Sequence, residues 1–114
     1  MTPTPERAAG ASHRAAPLHA DLDQVPLETA LLALADPVRR TIVRTLANAA
    51  DWERACGSFD VPVTKATLSR HFAILREAGL LEQRDAGPKR LNRLRRPEFE
   101  ARFPGLLELA LSDR

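Results

Sequence analysis

Apolar residues along this chain recur mostly at helical spacing, with one stretch where they alternate. Leu27, Leu31 and Leu34 fall at i, i+4 and i+7, which predicts a short helix beginning after Pro26. Leu32 and Ala35 lie on a second side of it, so this helix has more apolar surface than one core face needs, and one side can serve a partner. Asp36-Pro37 predicts its end and the start of another helix over about 37–49, because Asp is a favoured N-cap and Pro at the first helical position has no amide hydrogen to leave unpaired. Val38, Ile42 and Leu46 form its buried stripe, with Arg39, Arg40 and Arg44 outside. Residues 51–63 are less regular. Trp52, Ala55 and Phe59 predict one short helical turn with a core face, kept short by Gly57 and Pro62.

Thr64 is the expected N-cap of the helix TKATLSRHFAILREAG, in which Leu68, Phe72 and Leu75 make an apolar stripe and Gly79 stands where a left-handed C-cap belongs. The far side collects Ala66, Ser69, Arg70 and Ala73, with Lys65 beside the N-terminus. Small and polar residues there allow close approach to another surface. After Gly79 the pattern alternates through Leu81, Gln83 and Asp85, then again from Arg90 to Arg95, around the turn Ala86-Gly87-Pro88-Lys89. This predicts a two-stranded hairpin with a basic tip. Pro97 opens a C-terminal helix with Phe99, Phe103, Leu106, Leu107, Ala110 and Leu111 on its apolar side, kinked or split at Pro104. Residues 1–20 hold Pro3, Pro5 and Pro17 and few large apolar side chains, and are expected to form a flexible arm ahead of a single domain over 21–114.

A chain of 114 residues allows one modest core. Its apolar runs are a few residues long, against the roughly 20 that a membrane span requires, so no membrane partner is expected. The amino terminus has no basic start followed by an apolar stretch, and a single cysteine, Cys56, allows no intrachain disulfide. Both fit a cytoplasmic protein. The chemistry of an enzyme is missing: there is no Gly-rich phosphate loop, nucleophile elbow or assignable acid–base pair.

The formal net charge of +2 conceals a segregated distribution. Residues 1–63 carry 6 basic and 8 acidic groups, residues 64–96 carry 9 and 3, and residues 97–114 carry 2 and 4. The segment holding the long helix and the hairpin is therefore +6 between two −2 flanks. Arg84, Lys89, Arg90, Arg93, Arg95 and Arg96 crowd one ribbon, an arrangement that calls for a polyanion to answer it. Arginine suits phosphate recognition, but the preference for Arg over Lys reads first as the imprint of a GC-rich genome.

The order helix, helix, short helix, long helix with a small polar face, basic hairpin predicts a mainly α fold with a small β-hairpin, a winged helix-turn-helix. Ala33-Leu34-Ala35-Asp36-Pro37-Val38-Arg39, with the helix running to Leu46, resembles the opening motif of the ArsR-type bacterial transcriptional regulators. Thr67 to Leu80, reading TLSRHFAILREAGL, is similar to that family's recognition helix and its exit, and Gly87 falls at its wing turn. The resemblance covers about residues 27–96. It implies a homodimer built from the first and last helices, with Leu27, Leu31, Phe103, Leu107 and Leu111 as dimerisation residues, and recognition helices in successive major grooves of a palindromic operator.

Residue chemistry and resemblance agree on the DNA-binding set. Thr64 and Lys65 sit at a helix N-terminus whose amide hydrogens suit phosphate, while Ser69 and Arg70 are placed for base edges, Arg being able to contact guanine through two hydrogen bonds. Thr67 and His71 lie on the flanks; the family motif places both near DNA, yet a Thr there can bond the backbone and a His can pack on a neighbouring helix. Lys89 and Arg90 are the expected phosphate contacts of the wing.

The family's usual metal-site residues are absent from the sequence, and no Cys/His group has metal-ligand spacing, so neither a metal nor a cofactor is expected. Cys56, just before the recognition helix, is a candidate redox sensor or else a small buried hydrophobe. The expected function is sequence-specific double-stranded DNA binding by a homodimeric transcriptional repressor on the nucleoid, responsive to an unidentified small-molecule or redox effector. The alternative is a winged-helix protein-interaction module with no sequence-specific DNA binding.

Overall fold

The computed structural model describes residues 16–113. After a 3-10 turn at Leu22–Gln24 come α1 (Leu27–Leu34), α2 (Pro37–Ala47), β1 (Arg54–Ala55), a 3-10 turn at Cys56–Ser58, α3 (Lys65–Glu77), β2 (Leu81–Ala86), β3 (Lys89–Leu94), α4 (Arg96–Arg102) and α5 (Leu106–Ser112). The three strands form one antiparallel sheet in the order β1-β3-β2, whose β2–β3 hairpin is the wing. The fold is mainly helical with a small sheet, a winged helix-turn-helix.

Local chemistry sets the helix boundaries. The Asp36 carboxylate accepts from the Val38 and Arg39 amides at 2.8 and 3.1 Å, and Pro37 occupies the first turn of α2. Burial pushes the Asp36 carboxyl upward, but those two amide hydrogen bonds, helped by the Arg39 guanidinium and His71, hold it below its ordinary value. A depressed carboxylate contributes stability that is complete above its unfolded pKa of about 3.9 and lost as pH falls through the folded value. Asp36→Ala should therefore cost about 1 kcal/mol at neutral pH, and urea melts should show the gap from the parent narrowing as pH falls below about 3.9.

The core is closed by Ile42, Val43, Leu75, Leu80, Leu81, Phe99 and Leu107, all fully buried. Helix α1 turns Ala30, Ala33 and Leu34 inward and leaves Leu27, Leu31 and Leu32 exposed, so its two buried alanines allow close packing while three of its leucines face out. The C-terminal helix is split at Phe103-Pro104-Gly105, with Gly105 left-handed at φ 84°. Gly79 is also left-handed, at φ 77°, and a Cβ there would collide with Leu22. Both the C-cap and the close approach require glycine.

Several expectations are corrected. Residues 51–63 form no helical turn facing the core through Trp52. The two-residue β1 pairs Arg54 with Asn92 and Ala55 with Leu91, adding a third strand to the expected hairpin, and only the 3-10 turn at Cys56–Ser58 is helical. Arg39, Arg40 and Arg44 do not merely project into solvent. Arg39 donates to the Ala33 and Leu32 carbonyls, Arg40 to the Leu34 carbonyl, and Arg44 to the Asp113 carbonyl. The first two thus satisfy carbonyls left open at the end of α1.

Of the expected arm over 1–20, residues 1–15 lie outside the described residues. At its end the chain is tied down: the His19 ring Nε2 accepts from the Gln83 amide at 2.9 Å, and Arg95 donates to the Ala20 carbonyl at 2.8 Å. Arg102 holds the Leu22 and Val25 carbonyls in the same way.

Candidate nucleic-acid interface

The long helix α3 begins where Thr64 caps it. The Thr64 hydroxyl accepts from the Thr67 amide at 3.2 Å and donates to the Thr67 hydroxyl at 3.0 Å, so both threonines serve the cap. Beyond it, Lys65, Ala66, Thr67, Ser69 and Arg70 are exposed and share one side of the helix, while Phe72 and Leu75 are buried on the other. The side of α3 expected to face DNA is exposed to solvent. It carries two cations, small residues that permit close approach, and hydroxyls within reach of polar edges.

His71 belongs elsewhere. It is 8% exposed, and its Nδ1 accepts from Arg39 at 3.1 Å. A guanidinium only donates, so the imidazole proton must reside on Nε2. At about 100° per residue, position 71 lies beside the buried Leu75 rather than beside Arg70, which removes His71 from the DNA-facing set.

The wing shows an ordered change of chemistry along one face. Leu81 pairs with Leu94 in the core, then Gln83 with Asn92, then Asp85 with Arg90 toward the tip. Gln83 and Asn92 are buried, and Gln83 Nε2 donates to Asn92 Oδ1 at 2.9 Å. Asn92 Nδ2 in turn donates to the Arg54 carbonyl at 2.9 Å, and the Cys56 sulfur lies 3.0 Å from Gln83 Nε2. Arg76, near the end of α3, donates to Gln83 Oε1. This amide network ties β1, the 3-10 turn, α3 and the wing together. Sequence reasoning missed it, although Gln83 stands two residues from Leu81 on the alternation that marks the core face.

The crowded wing arginines are largely answered from within. Arg90 pairs with Asp85 at 2.9 Å, Arg93 with Glu82 at 2.9 Å and with Glu98, and Arg95 with Glu98 at 3.7 Å. Burial lowers the Arg93 pKa, but hydrogen bonds from it to Glu98 and Glu82 more than reverse this; likewise burial raises Glu98, and the Arg93 hydrogen bond pulls it below its ordinary value. Arg84 lies over the Trp52 ring at 4.3 Å. A polyanion is therefore not needed to explain the arginine cluster as a whole. Lys89 and Arg96 remain exposed, with Lys89 next to the two-residue turn made by Gly87, at φ 62°, and Pro88.

The exposed polar and cationic side chains of these elements are thus Lys65, Ser69 and Arg70 on α3 and Lys89 beside the wing turn. Arg90 lies between, its side chain 13% exposed and paired with Asp85.

Of the expected dimerisation residues, Leu27 and Leu31 are 52% and 46% exposed. Phe103 and Leu107 are core residues at 6% and 1%, because the break at Pro104-Gly105 folds α5 back over the body, and Leu111 is half-buried. Leu32 and Leu109 are the further exposed leucines of these terminal helices. Cys56 is half-buried within the amide network, as described above. Among the described residues no three His, Cys, Asp or Glu side chains gather to hold a metal ion, and no helix is long and apolar enough to cross a membrane.

Residues 34–84 match the family model described as a helix-turn-helix domain, a span that runs from the end of α1 through α3 into the wing. The chain belongs to the helix-turn-helix family. It is similar to the uncharacterized HTH-type transcriptional regulator YceK of Bacillus subtilis (strain 168), with 38% identity over 78 residues, 67% of this chain and 77% of that protein.

Proposed function

We propose that this protein is a sequence-specific, double-stranded DNA-binding transcriptional regulator of the ArsR type, acting as a homodimeric repressor on a palindromic operator in the bacterial cytoplasm. The observation that carries the reading is the exposed side of α3, where Lys65, Ser69 and Arg70 stand clear of the core on a helix long enough to enter a major groove. Family membership and the regulator to which the chain is similar support it.

In this reading Arg70 and Ser69 meet base edges, Lys65 and the amides at the start of α3 meet phosphate, and Lys89 reaches the flanking backbone. Thr64 and Thr67 act chiefly by fixing where the helix starts. Dimerisation uses Leu27, Leu31 and Leu32 of α1 with Leu109 and Leu111 of α5. These side chains present apolar surface that one protomer leaves uncovered. A protomer reads one half-site, and the two-fold axis of the dimer supplies the second.

Equilibrium sedimentation tests the assembly. The parent should sediment as a dimer and Leu27→Glu/Leu31→Glu as a folded monomer with unchanged circular dichroism; a monomeric parent removes the dimer from the proposal. Fluorescence anisotropy with a labelled duplex tests the binding mode. Log affinity should fall linearly with log salt, by about 0.9 for each phosphate neutralised.

A further inference from the structure

Between α3 and the wing lies a groove of about 340 Å³, at the small end of the range found for ligand sites. Leu68 and Phe72 supply apolar walls, and Lys65, Arg76 and Arg90, the last of them paired with Asp85, bring cations to a lining that itself contains no carboxylate. We propose that this groove binds a small organic anion, with its charge at Arg76 and an apolar body against Leu68 and Phe72, and that its occupancy and DNA binding exclude one another.

Arg76 carries the argument. Its NH1 is committed to Gln83 Oε1, and Gln83 is itself locked by Asn92, so the guanidinium is held in place before any ligand arrives. Its Nε is buried and has no hydrogen-bond partner among the described residues. Burial and then the nearby Arg90 charge weaken its hold on its proton more than Cys56 and Glu77 strengthen it, and no carboxylate forms an ion pair with it among the described residues. A half-buried guanidinium in this state has no carboxylate in direct contact, and an anion in the groove supplies one. The groove exists because the connection ahead of α3 is only a 3-10 turn at Cys56–Ser58, whose Cys56 and Gly57 form its rim.

The apolar walls favour an organic anion over a bare phosphate. The exclusion part rests on the DNA-binding reading, since Lys65 and Ser69 line the groove and also belong to the proposed DNA face.

The test is an amide NMR titration of the full chain with benzoate, with benzamide as the uncharged isostere and inorganic phosphate as the anion without an apolar body. Benzoate should shift the Ser69, Phe72 and Gln83 amides with a Kd on the order of 1 mM, and the other two should bind at least about tenfold more weakly. Arg76→Gln should weaken benzoate about tenfold, and Arg76→Lys, which keeps the charge, should weaken it less. Both variants should retain dispersed spectra. Equal binding of benzamide or phosphate, shifts confined to other surfaces, or parent-like titration by folded Arg76→Gln would overturn the site; the first two outcomes use the parent chain and stand whether or not Arg76→Gln folds. A second arm measures a labelled duplex with and without saturating benzoate. An unchanged duplex Kd overturns the exclusion, whereas a duplex that fails to bind even without benzoate speaks against the DNA reading and not against the anion site.

Discussion

A Lys65→Glu/Lys89→Glu variant should bind every duplex at least about tenfold more weakly than the parent, and its salt slope should be smaller by about 2. The two lysines lie at the start of α3 and at the tip of the wing, and both are exposed. Neither belongs to the ion pairs that hold Arg90, Arg93 and Arg95 to acids among the described residues, so their reversal removes charge from the interface without dismantling the wing. Anisotropy titrations at several salt concentrations read both numbers. Arg70→Ala belongs to the same experiment with a different signature: it should narrow the gap between preferred and scrambled duplexes, because a base contact discriminates where a phosphate contact does not.

The second large effect lies beneath the interface. Asn92→Ala should destabilise the fold by about 2–6 kcal/mol, since it removes two buried hydrogen bonds, from Gln83 Nε2 to Asn92 Oδ1 and from Asn92 Nδ2 to the Arg54 carbonyl, and each such loss costs about 1–3 kcal/mol. Against a typical total of about 5–15 kcal/mol, that is a substantial fraction. The loss should be sharpest for β1, whose Arg54 carbonyl accepts from the Asn92 side chain at 2.9 Å, while the backbone bond from the Trp52 amide to the carbonyl of residue 92 survives the substitution. Urea denaturation measures the cost.

The parts of this molecule legible in its sequence are those determined locally. Asp36-Pro37 and Thr64 announce their helices because a cap acts within three residues, and the Phe72/Leu75 stripe announces the inner side of α3 because periodicity is a property of one helix. The break at Pro104 and the turn at Gly87-Pro88 belong to the same class. What was illegible depends on distant partners. His71 looks available for DNA until Arg39, thirty-two residues earlier, is seen to hold its ring. The wing arginines look unsatisfied until Glu82, Asp85 and Glu98 are brought beside them. Phe103 and Leu107 read as a partner surface, as the family resemblance implies, until the core of the domain is seen to cover them. β1, at two residues, has no periodicity to detect, and the Gln83–Asn92 pair defeats a reading that equates core with apolar.

The central claim is that the exposed side of α3 reads duplex sequence in pairs of half-sites. Selection of bound duplexes from a random pool by the purified full chain tests it most directly. The account predicts enrichment of an inverted repeat with half-site centres about 10–11 base pairs apart, and loss of that enrichment at defined positions in Arg70→Ala. Recovery of duplexes with no shared motif, bound in proportion to their length, would contradict it.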